Sequence, residues 1–455
     1  MADFPRVLFV TPLAFNHFTG SGVTFTNLFR GWPKDRLFTV HADSLPLSTD
    51  TCVNYFALGP EEMPLAGPLE ALRRLAGRGQ PAVSSPGPAA SMTSMSSDQP
   101  QPGGLRRLLF KCAGAIFGSG GFPVSARLSA RLAAWIEAAR PDVVYTILGS
   151  IEMMELVDHI RTRFGLPVVV HLMDDWRAER ERYGLLSPFR RRRLNHLFDR
   201  SMRAAQGHLA ISDAMASAYA AEFGVAFEAI QNVIDSDHWL KAAKQNITTG
   251  RPARLLYAGS LYSGVQLSSL VDVAAAVVRL RAAGAAVTLD IMSPEYMVAP
   301  FRSQLEAYDG TRVVPQVPRD RYFGAICGAD VLLLPVNFEP AAVRLVRYSM
   351  PTKVPEYLVS GVPILLYGPA GIAQADYAAR EGWGLTVTRR EPAVLDSSLT
   401  RVIEDQALRQ ELVLRAREIA AARHDSATVR AAFRSALTRA SGRADLLADR
   451  HCEVT

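Results

Sequence analysis

The chain has 455 residues, 49% of them hydrophobic, which is long enough for two domains of ordinary size. Its net charge of +6, from 50 basic against 44 acidic residues, is a modest excess that favours an anionic ligand or a membrane surface without specifying nucleic acid. The four cysteines, at 52, 112, 327 and 452, form neither a CxxC nor a zinc spacing, and a reduced, cytoplasmic protein is the simplest account of them.

The amino terminus, MADFPRVLFVTPL, carries Asp3 and no basic stretch before its apolar run, which makes it a poor secretory signal and a good first buried strand over 6–11. No uninterrupted apolar run approaches the roughly 18 residues of a spanning helix, so an integral membrane protein is not expected. NHFTGSGVTFTNLFRGW follows, with Gly20, Ser21 and Gly22 ahead of an amphipathic pattern. The reading here is a glycine turn leading into a helix, either a plain tight turn or an anion-tolerant corner where backbone N–H groups approach a ligand. No GxxxxGK[ST] sequence occurs, and the dinucleotide fingerprint lacks its third glycine.

Residues 77–104 change character: 16 of these 28 positions are Gly, Pro or Ser and none is aromatic. Such a segment cannot bury enough apolar area to offset its ordering entropy, and it is expected to be a disordered insertion. The basic and apolar stretch 105–122 is either an interfacial membrane helix or a helix packed on the domain.

Helix over 129–139, strand over 141–146, helix over 153–164 and the strand VVVHL then alternate, which predicts a parallel, doubly wound sheet with ligands beyond the carboxyl ends of its strands. His171, Asp174, Asp175 and Trp176 fall at such an end, and the imidazole and two carboxylates are expected to face a crevice. The two carboxylates either contact a ligand or cap the next helix, and no second histidine stands at ligand spacing for a metal. Arg190, Arg191, Arg192 and Arg193, with Arg200 and Arg203, lie on a predicted helix over 187–206 whose buried side is Leu194, Leu197, Phe198 and Met202. This basic stripe is either a solvated face or an anchor to anionic lipid, and no recognisable nucleic-acid module surrounds it.

From 206 to 239 the pattern is strand, helix capped by Ser212, and second strand. The Asp235-Ser236-Asp237 triplet is read as a chance match to a metal-binding DxD. These signals place the first domain at 1–235, a linker at 236–251 and a second domain at 252–425, with a C-terminal helical segment at 426–455. The second domain opens with RLLYAGSLYSGVQ, a strand running into a glycine loop at Gly259, Ser260 and Gly264.

The most informative stretch is YSMPTKVPEYLVSGVPILLYGP, residues 348–369. Ser349, Thr352 and Lys353 open a short helix, Glu356 follows one turn later, and Gly361 and Pro363 release the chain into a buried strand over 364–367. Free N–H groups in the first helical turn and an adjacent ammonium suit a diphosphate, while Glu356 suits a ribose diol. On local grounds the same residues also fit an N-cap at Thr352 and a solvated Lys353–Glu356 pair.

Pro-Thr-Lys, Glu-Tyr-Leu and Ser-Gly-Val-Pro-Ile resemble the donor-site segment of retaining GT-B glycosyltransferases, glycosyltransferase family four. The resemblance implies an α/β fold of two doubly wound Rossmann-like domains facing across a cleft. It further implies a nucleotide sugar as co-substrate with no other cofactor or metal, and transfer with retention to a glycan or polyprenol-linked acceptor, in cell-surface polysaccharide synthesis. It assigns the ribose to Glu356 and a place near the transferred sugar to His171, and makes Asp174 and Asp175 candidate acceptor contacts. It sets Gly20 and Gly22 toward the cleft, lets 426–440 cross back to the first domain, and places the base against 312–321. Two departures stand out. The family's basic loop residues are replaced near Ser260 and Gly264, leaving Lys353 to neutralise the diphosphate. Tyr348 stands where the first of two glutamates is expected, with Glu339 as the alternative source of that carboxylate. A nucleotide-sugar epimerase of the same fold and a non-catalytic partner subunit remain as other readings.

Overall fold

The computed structural model describes residues 4–16, 19–65, 124–179, 185–235 and 239–442. The expected insertion at 77–104, the basic stretch at 105–122 and Ser236-Asp237 lie outside the described residues. The chain divides into two compact units, one of residues 1–230 and 430–455, the other of residues 231–429.

The first unit is built on a seven-stranded parallel sheet. Its strands are β1 (Val7–Thr11), β2 (Leu37–His41), β3 (Asn54–Ala57), β4 (Val143–Thr146), β5 (Val168–Leu172), β6 (Gly207–Ala210) and β7 (Glu228–Ala229), in the order β3-β2-β1-β4-β5-β6-β7. Strands β1, β2, β4 and β5 are buried at every position, which explains their continuous apolar runs: helices cover both faces. The helices start where the sequence supplies a hydroxyl. Ser129, Ser150 and Ser212 each accept a hydrogen bond from the amide three residues on, at the heads of the helices Ala130–Ala139, Ile151–Phe164 and Asp213–Phe223. An aromatic cluster on β1 and β4 receives Phe433 from the helix Ser426–Ala440, whose ring lies 5.0 Å from Phe29 and 5.3 Å from Tyr145.

The second unit repeats the design. Its strands are β8 (Ala253–Ala258), β9 (Val287–Ser293), β10 (Thr311–Pro315), β11 (Val331–Pro335), β12 (Ile364–Tyr367) and β13 (Leu385–Val387), ordered β10-β9-β8-β11-β12-β13. The strand order reverses between β8 and β11, and a doubly wound sheet opens a crevice at that point, beyond the strand ends. The helix Ser268–Ala282 is apolar enough, with the turn before it, to pass for a membrane span by length and composition. Here it is a core helix, burying Leu270, Val273, Ala274 and Val277 against the sheet.

The unit boundary falls earlier than the expected linker. Residues 231–251 are tied to the second unit: the Lys244 amide donates to the Ser360 carbonyl, its ammonium pairs with Asp330 at 2.9 Å, and the Thr249 hydroxyl donates to Ile403. At the other end the division lies after Val429 rather than at 425.

Candidate functional site

The helix Val354–Val359 sits between the end of β11 and the start of β12, and a tyrosine fixes it. Tyr357 is fully buried, its hydroxyl donating to the Ala258 carbonyl at 3.1 Å and accepting from the Ala258 amide at 3.2 Å. That double bond pins the helix to the last residue of β8. Behind it, Ser360 bonds back to the Tyr357 carbonyl, and Gly361 turns the chain at φ +76, where a Cβ would fall 2.1 Å from the Lys244 carbonyl. Only glycine fits that turn. The expected sequence of short helix, turn and buried strand over 354–367 is therefore what forms.

Lys353 and Tyr357 are four residues apart and share a face, so the lysine is drawn inward with the tyrosine. Its ammonium lies 4.2 Å from the centre of the Tyr257 ring and against Gly259, where a Cβ would sit 2.4 Å from Nζ. Gly259 follows β8 directly with φ +144, a conformation and a closeness that exclude a side chain. Burial lowers the Lys353 pKa to about 7 against a weaker opposing pull from Glu356. Glu356 itself is 9% exposed, so a solvated Lys353–Glu356 pair is not what this helix carries.

Two details of the expected anion site change. The cap position is Lys353, with no side-chain cap, and Thr352 is exposed beside it. The first turn also offers fewer amides than a helix end usually does, because the Val354 amide donates to Pro351 and Pro355 has none. The Lys353 ammonium, rather than a row of free amides, is therefore what this helix start offers an anion. Ser260 is exposed at the loop tip, with its carbonyl taken by the Tyr257 hydroxyl. Tyr348 and Ser349 are half-buried just ahead of Lys353, with Arg347 stacked on the Tyr348 ring at 5.2 Å. Glu339 accepts from Ser268 and pairs with Arg390 at 3.1 Å; against the opposing effect of burial, its own backbone amide and then these two partners hold its carboxyl below the usual range. Arg312, expected at the base, is directed to Asp290 at 2.8 Å.

In the first unit the predicted residues separate. Gly20 and Gly22 are part of the helix Gly20–Leu28 itself rather than of a turn before it: Thr19 caps that helix by accepting from the Gly22 amide. At Gly22 a Cβ would lie 2.4 Å from the buried Asn16 side chain, so a larger residue there would have to displace Asn16. His171 does not face a crevice. It lies within β5, is 0% exposed, and shares a 2.8 Å hydrogen bond with the Tyr145 hydroxyl. Burial lowers its pKa to about 3, outweighing the opposing effect of the Ile230 backbone, so the imidazole is neutral. Asp174 is exposed beyond the end of β5, whereas Asp175 accepts from Tyr219 at 2.8 Å and serves the packing of the helix Asp213–Phe223. Among the described residues no group of three His, Cys, Asp or Glu is placed to hold a metal.

Residues 19–233, just under half of the chain, match the family described as glycosyl transferase 4-like domain. No curated protein matches the chain. Among solved structures it is similar to HepE of Anabaena in complex with UDP and glucose, at 15% identity and a TM-score of 0.60 over 95% of this chain and 99% of that one. Sucrose-phosphate synthase of Thermosynechococcus elongatus gives 13% identity and 0.59, over 98% and 100%. WaaG, a glycosyltransferase involved in lipopolysaccharide biosynthesis, gives 15% and 0.54, over 95% and 99%. The fold is GT-B.

Two contributors were not singled out from sequence. Tyr357 was legible as the i+4 partner of Lys353 within the same motif. Tyr257 carried no such signal, because its place under the ammonium depends on which strand the helix packs against.

Proposed function

We propose that the chain is a glycosyltransferase that takes a nucleotide-diphosphate sugar on its second unit and transfers the sugar, with retention, to a glycan or lipid-linked acceptor. The observation that carries this reading is the Lys353 ammonium seated against Gly259 at the end of β8, beside the point where the strand order reverses. A glycine without a side chain lets a diphosphate approach the backbone, and the ammonium offsets the charge that builds on the departing phosphate. Glu356, one turn from the lysine, is the proposed ribose ligand. Support comes from the glycosyl transferase 4-like match over 19–233 and from structural neighbours that hold UDP and UDP-glucose.

A second reading, binding without turnover, is favoured by Tyr348 at the position of the first expected glutamate and by the engagement of Glu339 with Ser268 and Arg390. A melting-temperature screen against UDP, GDP, ADP and TDP finds the donor base, since a ligand bound only by the native form raises Tm. Incubation with the matching sugar nucleotides then separates transfer from donor epimerisation and from binding alone. Absence of any Tm rise with all four nucleotides would refute the proposal.

A further inference from the structure

The helix Ser187–Ala204 has a buried side made by Leu194, Phe198 and Met202. Directly opposite, at alternating four- and three-residue steps, stand Phe189, Arg193, His196, Arg200 and Arg203, all exposed. The helix carries six arginines and one aspartate, and that aspartate lies on its flank, 3.9 Å from Arg177. Arg193 and Arg200 are braced by Glu155 and Asp158 of the neighbouring helix Ile151–Phe164. Among the described residues no acid pairs with Arg192 or Arg203.

At the amino-terminal end of this face the character changes from basic to apolar. Leu185 is 76% exposed and Phe189 73%, the two most exposed large apolar side chains among the described residues, and Leu186 lies between them. A solvated basic helix has no use for that cluster, whose exposure costs free energy in water.

We propose that this face docks on an anionic lipid bilayer, with Leu185, Leu186 and Phe189 entering the acyl boundary and Arg192 and Arg203 among the headgroups. Apolar side chains at one end of an arginine face match the two layers of a membrane surface: phosphate charge outside, hydrocarbon beneath. A nucleic acid would reward the arginines and leave the leucines and the phenylalanine unpaired with anything apolar. The surface belongs to the first unit and the proposed donor residues to the second, so a chain unable to bind a sugar nucleotide would still bind vesicles through it.

The test is co-sedimentation of the full-length protein with phosphatidylcholine vesicles, with and without a third of phosphatidylglycerol, at low and high salt. The wild type is expected to partition onto the anionic vesicles alone and to be released by salt. Leu185→Ser with Phe189→Ser is expected to weaken partitioning about tenfold or more, and Arg192→Gln with Arg203→Gln about thirtyfold. All four side chains are exposed, and unchanged melting temperatures and UDP response would show both variants folded. Equal binding to neutral vesicles, or a serine variant that binds as the wild type does while only the glutamine variant is weakened, overturns the proposal.

Discussion

Raising the pH from 6 to 8 should weaken donor binding about tenfold, because the free protein has to protonate Lys353 before its ammonium meets a diphosphate. With a pKa of about 7, roughly nine-tenths of the side chain is charged at pH 6 and one-tenth at pH 8. A sugar nucleotide is the ligand to use, since its diphosphate diester has no group that titrates in this window. Lys353→Met keeps the length of the stem over the Tyr257 ring and removes the charge. Loss of a charge-assisted hydrogen bond, about 1.5–3 kcal/mol, predicts binding about 10- to 150-fold weaker at pH 6 and no dependence on pH between 6 and 8. The same shift appears in folding with the opposite sense. Between about pH 7 and the ordinary lysine value of 10.5 the unfolded chain holds the proton and the folded one does not, so stability rises with pH there, and the methionine variant loses that rise. Titration calorimetry at several pH values measures the first effect and urea unfolding the second. A flat pH profile in the wild type, or a methionine variant that binds as well as wild type at pH 6, would refute the assignment of Lys353.

Tyr357→Phe removes both hydrogen bonds to Ala258 and leaves a buried amide and carbonyl unpaired, for a loss of about 1–3 kcal/mol in urea unfolding. Because the tyrosine positions Lys353, donor affinity should fall with it, and an unchanged dissociation constant would detach the two. His171 is neutral when folded and charged below about pH 6.5 when unfolded, so its contribution declines as the pH falls, by about 2 kcal/mol between pH 7 and pH 5. Comparing His171→Gln with the wild type in pH-dependent unfolding isolates that slope, and the titration of His171 should leave no inflection in a rate profile between pH 6 and 8.

The alternation of apolar strand and capped helix was readable residue by residue because it is local. Ser129, Ser150 and Ser212 head the helices they introduce, and the continuous burial of β1, β4 and β5 shows as runs of Val, Leu, Phe and Tyr in which only Thr11, Thr146 and His171 are polar. The 348–369 stretch was legible for the same reason: Pro355, Gly361 and Pro363 punctuate it, and Gly361 has no alternative beside the Lys244 carbonyl. Those features belong to a few neighbouring dihedrals and need no knowledge of the rest of the chain.

What lies across the fold was decided only in three dimensions. His171 reads from sequence as the end of a strand facing a ligand, but its ring lies against Tyr145 on the neighbouring strand β4, 26 residues earlier, and Phe433 near the carboxyl terminus. Asp175 looks like a spare carboxylate until Tyr219 is folded onto it. Lys353 looks like a surface lysine until Tyr357 draws its helix against β8 and sets the ammonium on Gly259. Charge state, burial and partner are properties of contacts between residues distant in sequence, so the chemistry of this chain's side chains was fixed by packing while the identity of its elements was already set by local pattern.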